Sequence, residues 1–183
     1  MRIENGSLII PEGVTKIDDS FRGNLDLKEV ILPDGVCEIA PFAFYGCRNL
    51  TKVALSSGIK VIPLSAFQHC CNLTDIVLSE GLEEIHDSAF SNCGISSLAL
   101  PNGASFIGED AFSKISGMAI FIPKSVEVIE PCAFKECTTL RIFCEAEKKP
   151  DGWNELWCPS QDESDRFIYV YWGKSEQDYY SEA

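Results

Sequence analysis

The residues able to do chemistry in this chain are nine cysteines, two histidines and 28 Asp and Glu side chains. Their spacing fits none of the common reaction classes. His69 and His86 lie outside any His-Glu-x-x-His pattern and beside no nucleophile elbow. The run His86-Asp87-Ser88 holds the residue types of a catalytic triad, but a triad is defined by convergence in space, and sequence neighbours rarely converge. Among so many carboxylates, pairs at glycosidase separation arise by chance, so their number carries no signal. Glycines recur singly instead of clustering before a helix, which argues against a phosphate-binding loop. No catalytic residue, metal site or cofactor is expected.

The cysteines are odd in number and periodic instead of paired. Cys47, Cys70, Cys93 and Cys137 each follow a phenylalanine by three residues. Zinc sites favour close Cys-x-x-Cys pairs, and Cys132 with Cys137 forms a lone couple without a partner couple. The simpler reading is a small buried hydrophobe used once per structural unit. Disulfide or metal binding is the alternative, and Cys37, Cys71, Cys144 and Cys158 are assigned to neither.

That periodicity extends to the whole chain. Pro11, Pro33, Ser56, Ser79, Pro101 and Pro123 stand 22 or 23 residues apart, each after an apolar triplet such as Val30-Ile31-Leu32. Two residues on comes Gly13, Gly35, Gly58, Gly81, Gly103 or Ser125, then an apolar residue and, three later, an isoleucine from Ile17 to Ile129. Next is a small residue plus Phe21, Phe44, Phe67, Phe90, Phe112 or Phe134. A unit this short cannot bury its own apolar face, so equivalent positions must stack into one continuous core, as in a solenoid. The glycine predicts a corner that needs an unusual backbone conformation. The triplet predicts one short strand and the Val-x-x-Ile pair a second, giving two parallel strand layers. A short helical or 3₁₀ link should cover Ala-Phe-x-x-Cys, and the phenylalanines should form a buried spine.

The pattern Leu-x-x-Val-x-Leu-Pro-x-Gly-Val-x-x-Ile-x-x-x-Ala-Phe-x-x-Cys resembles the treponemal-type, or BspA-like, leucine-rich repeat family over roughly residues 7–144. The resemblance implies a strand-rich α/β repeat: a right-handed leucine-rich-repeat solenoid of about six units with a C-terminal cap. The segments Cys144–Trp153 and Val170–Gly173 are similar to the cap that follows such arrays. The expected organisation is an array over 1–144, a cap over 145–175 and a solvated acidic tail over 176–183. Two departures stand out: the first unit lacks the cysteine, and the fourth is short after Cys93, where the coil should bulge without interrupting the stack.

Side chains alternate along a strand, so the ends of each triplet face inward and its middle residue outward. The outward column is Ile9, Ile31, Ala54, Val77, Ala99, Phe121 and Phe143, an apolar stripe roughly 30 Å long at ordinary strand spacing. Such a stripe marks either an interaction surface or ordinary packing between neighbouring strand residues. The column Glu29, Lys52, Asp75 and the pairs Lys16 with Glu38 and Lys60 with Glu83 read as solvated register markers.

The formal net charge of -13 disfavours nucleic acid and anionic membranes. No stretch approaches the roughly 20 apolar residues of a membrane span, nor does the first segment have a signal peptide's apolar core. The chain begins inside the repeat pattern, so an upstream segment is compatible with the sequence. A non-enzymatic protein-interaction module is the leading expectation, with Ile31, Ala54, Val77, Ala99, Phe121 and Phe143 as its partner-binding residues. The resemblance implies surface adhesion or host contact, at the cell surface or after secretion. Two alternatives stay open: carbohydrate binding by the aromatic cap, rich in Trp153, Trp157 and Trp172, and a structural spacer within a larger protein.

Overall fold

The computed structural model describes residues 1–158 and 167–182. Strands alternate between two faces along the chain. An N-terminal hairpin joins β1 (Arg2–Glu4) to β2 (Ser7–Ile9). Then come β3 (Lys16–Ile17) and β4 (Glu29–Ile31), β5 (Glu38–Ile39) and β6 (Lys52–Ala54), β7 (Val61–Ile62) and β8 (Asp75–Val77). The series continues with β9 (Glu84–Ile85) and β10 (Ser97–Ala99), β11 (Phe106–Ile107) and β12 (Ala119–Ile122), β13 (Val128–Ile129) and β14 (Leu140–Cys144). Strand β15 (Ile168–Tyr171) and helix α1 (Glu176–Glu182) follow. Apart from the hairpin, every ladder is parallel. This is the two-layer solenoid of about six turns that the repeat requires.

The corners form by a shared hydrogen bond. The carbonyls of Pro33, Ser56, Ser79, Pro101 and Pro123 each accept from the backbone N–H three residues on, at 2.9–3.2 Å, closing a tight turn. The glycine at this corner has a different purpose from the one its type suggests. Gly13 has a positive φ of 82°, but Gly58 does not. A Cβ at Gly58 would instead lie 3.2 Å from the Val36 carbonyl oxygen, so glycine there permits close stacking of one coil on the last.

Left-handed backbone falls on the third side, over the Ala-Phe-x-x-Cys stretch. A 3₁₀ helix spans only Asp19–Phe21; the later coils use consecutive turns. Phe42, Ser65, Ser88, Asp110 and Cys132 take positive φ before the small residue, and His69, Asn92, Lys114 and Glu136 do so again three residues after. Such a conformation costs a non-glycine residue roughly 1–2 kcal/mol. It turns alternate N–H groups along the solenoid axis, where each meets the next coil: Phe44 to Ala66, Phe67 to Ala89, Phe90 to Ala111 and Phe112 to Ala133, at 2.8–2.9 Å. The N–H groups between them close i to i+3 turns, as from Ala43 to Ala40.

Inside this side runs the phenylalanine spine, from Phe21 to Phe134. Successive rings are stacked with centroids 5.3–6.0 Å apart. Beside it the cysteine thiols have a defined role. Cys47 Sγ donates to the Phe21 carbonyl at 3.0 Å, Cys70 to Phe44 at 3.1 Å, Cys93 to Phe67 at 3.1 Å and Cys137 to Phe112 at 3.0 Å. The thiol column thus gives these carbonyls a donor from the next coil, a second one at Phe21, Phe44 and Phe67, which also accept a turn N–H at 3.0–3.1 Å. Cys37, Cys47, Cys70, Cys71, Cys93, Cys132, Cys144 and Cys158 carry free thiols.

Two interruptions mark changes of register. On the first face, β1-β2-β4-β6-β8 form one sheet and β10-β12-β14-β15 another. The break lies at the short fourth unit: Val30, Val53 and Ile76 recur every 23 residues, whereas Leu98, Ile120 and Ile142 recur every 22. The second face is continuous there, through β7-β9-β11-β13, and is interrupted instead between β5 and β7. The expected bulge is therefore a parting of one ladder while the other two sides stay bonded.

Candidate functional site

Where the first face stays open, the outward column has the expected exposure. Ile31 and Val77 are each 54% exposed and Ile9 is exposed, while Ala54 and Ala99 are half-buried. Register pairing puts them in one row: Ile31 with Ala54, Ala54 with Val77, and Ala99 with Phe121. Lys52 stands beside the row, 3.5 Å from Glu29 and 4.0 Å from Asp75 across adjacent strands.

The far end of the column departs from expectation. Phe121 and Phe143 are each 1% exposed, and the segment expected as a solvated tail is what covers them. Helix α1 lays Tyr179, itself 2% exposed, across this face. The Tyr179 ring stands 6.2 Å from Phe121 and 5.6 Å from Phe143. Tyr171 of β15 stacks on Phe143 at 5.0 Å. Burial raises the Tyr179 phenol above its ordinary range, opposed by hydrogen bonds with Ser97 and Leu98. The helix is held by a reciprocal cap, Ser175 N–H to Asp178 at 2.8 Å and Asp178 N–H to Ser175 Oγ at 3.2 Å. Arg141 Nη1 donates to the Glu182 carbonyl at 2.5 Å. Thus neither Phe121 nor Phe143 is available to a partner while α1 is docked.

At the boundary between the open and covered parts lies a cleft of about 590 Å³, where β8 and β10 part. Val77 and Ala99 line it from the two sheets, and Tyr179 and Tyr180 from the helix. Tyr180 is 68% exposed. Sequence reasoning missed this cleft, although the 23-to-22 change of period locates it.

The other candidate chemistry does not assemble. His86 Nε2 lies 2.7 Å from Glu84 Oε2, and Asp87 Oδ1 accepts from the Glu109 N–H of the next coil at 3.0 Å. His86, Asp87 and Ser88 therefore do not act on one point. Of the cap tryptophans, Trp153 and Trp157 are buried with ring centroids 4.9 Å apart, Trp172 is half-buried 5.7 Å from Trp153, and Trp153 Nε1 donates to the Val126 carbonyl at 3.0 Å. Part of the expected cap, 159–166, lies outside the described residues.

The stacked coils, inward leucine and isoleucine columns and parallel ladders define a leucine-rich-repeat solenoid. More particularly, the chain belongs to the BspA-type leucine-rich repeat family, whose model matches it in six copies over residues 3–119 and 107–147. Among solved structures it is similar to the leucine-rich repeat protein of T. pallidum, at 34% identity and a TM-score of 0.59, over 63% of this chain and 57% of that one. A leucine-rich repeat protein from Bacteroides ovatus shares its fold at 24% identity and a TM-score of 0.65, over 75% of this chain and 42% of that one. The pneumococcal vaccine antigen PcpA does so at 20% identity and a TM-score of 0.65, over 81% of this chain and 36% of that one. The chain thus spans less than two thirds of each of these proteins. No curated protein matches it.

Proposed function

We propose that this chain is a protein-interaction module that binds its partner on the open part of the first sheet face, with Ile31, Ala54, Val77 and Ala99 as the contact row. The observation that carries the reading is helix α1. The same face already holds a polypeptide helix in cis, by packing Tyr179 against both Phe121 and Phe143. The uncovered row continues that surface with equivalent strand positions, and exposed contiguous apolar area of this kind marks contact sites. Leucine-rich repeat proteins are generally non-enzymatic interaction or structural modules, which agrees with the dispersal of the His and carboxylate side chains described above. Likeness to a vaccine antigen adds support for display at a cell surface and for adhesion or host contact as the setting.

The test is parallel affinity capture with the wild-type chain and an Ile31→Glu, Val77→Glu double variant of unchanged melting temperature. A partner retained by the wild type alone supports the reading. Equal retention by both leaves the row as ordinary sheet packing, and the chain as a spacer.

A further inference from the structure

The turn side of the first coils carries a second feature, separate from the sheet face. The position two residues after the spine phenylalanine is Gly23 in the first coil and Gly46 in the second, but His69 and Asn92 in the third and fourth. The two glycines stack on each other, with the Gly46 N–H bonded to Gln68 and the Gly23 N–H bonded to Tyr45, both at 2.7 Å. They leave a floor without side chains beneath a wall formed by the later residues. The result is a depression of about 850 Å³, a volume in the range of small-molecule sites.

Its lining is unusual for a chain of net charge -13. Arg22 and Arg48 both border it, and no carboxylate does. Neither arginine makes an ion pair within 4.0 Å among the described residues. The Arg22 guanidinium is held in place by aromatic faces, 4.8 Å from the Tyr45 ring centroid and 5.3 Å from that of Phe42. Tyr45 is braced edge-on by His69 at 5.4 Å. Asn92 Nδ2 lies 2.9 Å from His69 Nδ1, which ties the third and fourth coils together at the wall.

We propose that this depression binds a sugar acid: a mono- or disaccharide bearing one carboxylate. The two arginines supply planar, charge-assisted donors that suit a carboxylate. Tyr45 and Leu25 offer apolar surface to the ring's C–H groups, and His69 and Asn92 offer polar side chains to its hydroxyls. The acidic remainder of the molecule opposes any polyanion over the Debye length. It therefore selects a ligand with one local negative charge over a sulfated polymer or a nucleic acid.

The experiment is titration calorimetry of the full chain with a glucuronate-containing disaccharide, its neutral counterpart, inorganic sulfate and a short acidic peptide. Wild type should bind the acidic disaccharide about tenfold or more tightly than the other three, and Arg22→Gln and Arg48→Gln, checked by melting temperature, should each weaken it about tenfold. No binding by the wild type, equal binding of the neutral sugar, or affinity retained by both variants overturns the proposal. Equal or tighter binding of sulfate overturns the sugar component, and equal or tighter binding of the peptide reassigns the depression to an acidic protein segment. The Ile31→Glu, Val77→Glu variant should bind the disaccharide as wild type does, which separates this site from the sheet face.

Discussion

Tyr179 meets Phe143 edge to face, with 76° between the ring planes, so the C-terminal helix seals a strand column that the repeat pattern by itself would leave open. Replacing Tyr179 with Ala should remove about 2 kcal/mol from the docking of α1. The loss should be local. Hydrogen exchange should quicken at the α1 amides, and binding of an apolar dye should rise as Phe121 and Phe143 become accessible, while the spine amides keep their protection.

Cys70 donates its thiol hydrogen to the Phe44 carbonyl inside the core. Cys70→Ala removes one of that carbonyl's two donors, the other being the Cys47 N–H at 3.1 Å, and should cost about 0.5–1.5 kcal/mol in a denaturant titration. Cys70→Ser restores a hydroxyl donor and should recover part of the loss. If the two variants are equally destabilised, the column serves packing alone.

Burial pushes the Cys47 thiol up to about 11 and those of Cys144 and Cys158 up to about 12, and raises Cys70 and Cys93 as well. The folded state therefore holds these protons after the unfolded chain, near the ordinary value of 9.0, has begun to release them. Their contribution to stability is complete below about pH 9 and is lost as pH rises through the folded-state values. Unfolding free energy should fall above that pH by about 1.4 kcal/mol per unit for each such thiol. Removing one of them, as in Cys93→Ala, should make the fall shallower by that amount. Below pH 9, the exposed Cys37 and Cys71 should react with a thiol reagent well before the buried column.

A Cβ on Gly94 would lie 2.6 Å from the Cys71 carbonyl oxygen of the coil beneath. Gly94→Ala must therefore move backbone at the short fourth unit, and should cost about 1–3 kcal/mol. Gly117→Ala, where the space is open but φ is +70°, should cost about 1–2 kcal/mol through conformation alone. Shifts in denaturant midpoint test both, and chemical-shift changes confined to coils three and four should accompany the first.

Phe67 is stacked between Phe44 and Phe90, whereas Phe21 has one spine neighbour and some exposure. Phe67→Ala should cost about 3–5 kcal/mol, and Phe21→Ala distinctly less. Equal losses would mean that the solenoid unfolds from its first coil in both cases.

The architecture was legible because one pattern repeats six times, so errors in any single unit are outvoted by the register of the rest. Inward columns, corners and spine all follow from side-chain periodicity. What escaped depends on singular residues. Asn5-Gly6, both at positive φ, is a hairpin signature overlooked because it precedes the repeat. Ser175-Glu176-Gln177-Asp178 is a capping pattern, but Tyr179 is one apolar residue among acidic and polar ones, too little periodicity to announce a docked helix. The fate of Phe121 and Phe143 was thus decided by Tyr179, which lies 58 and 36 residues further along the chain. The Arg22 and Arg48 depression needs the backbone in view, because its residues come from four coils.

On the turn side, the hydrogen bonds just described run one way, with each coil's N–H groups meeting carbonyls of the coil after it. After the sixth coil the donors Cys132 and Phe134 find Leu156 and Trp157 at 2.8 and 3.3 Å. The array is consequently a polar polymer whose two ends are chemically unlike. Coils can be gained or lost in its middle with no change in unmet donors, since each insertion brings as many as it satisfies. The segment holding Leu156 and Trp157 fits one terminus alone, and grafted onto the opposite end it would meet acceptors with acceptors.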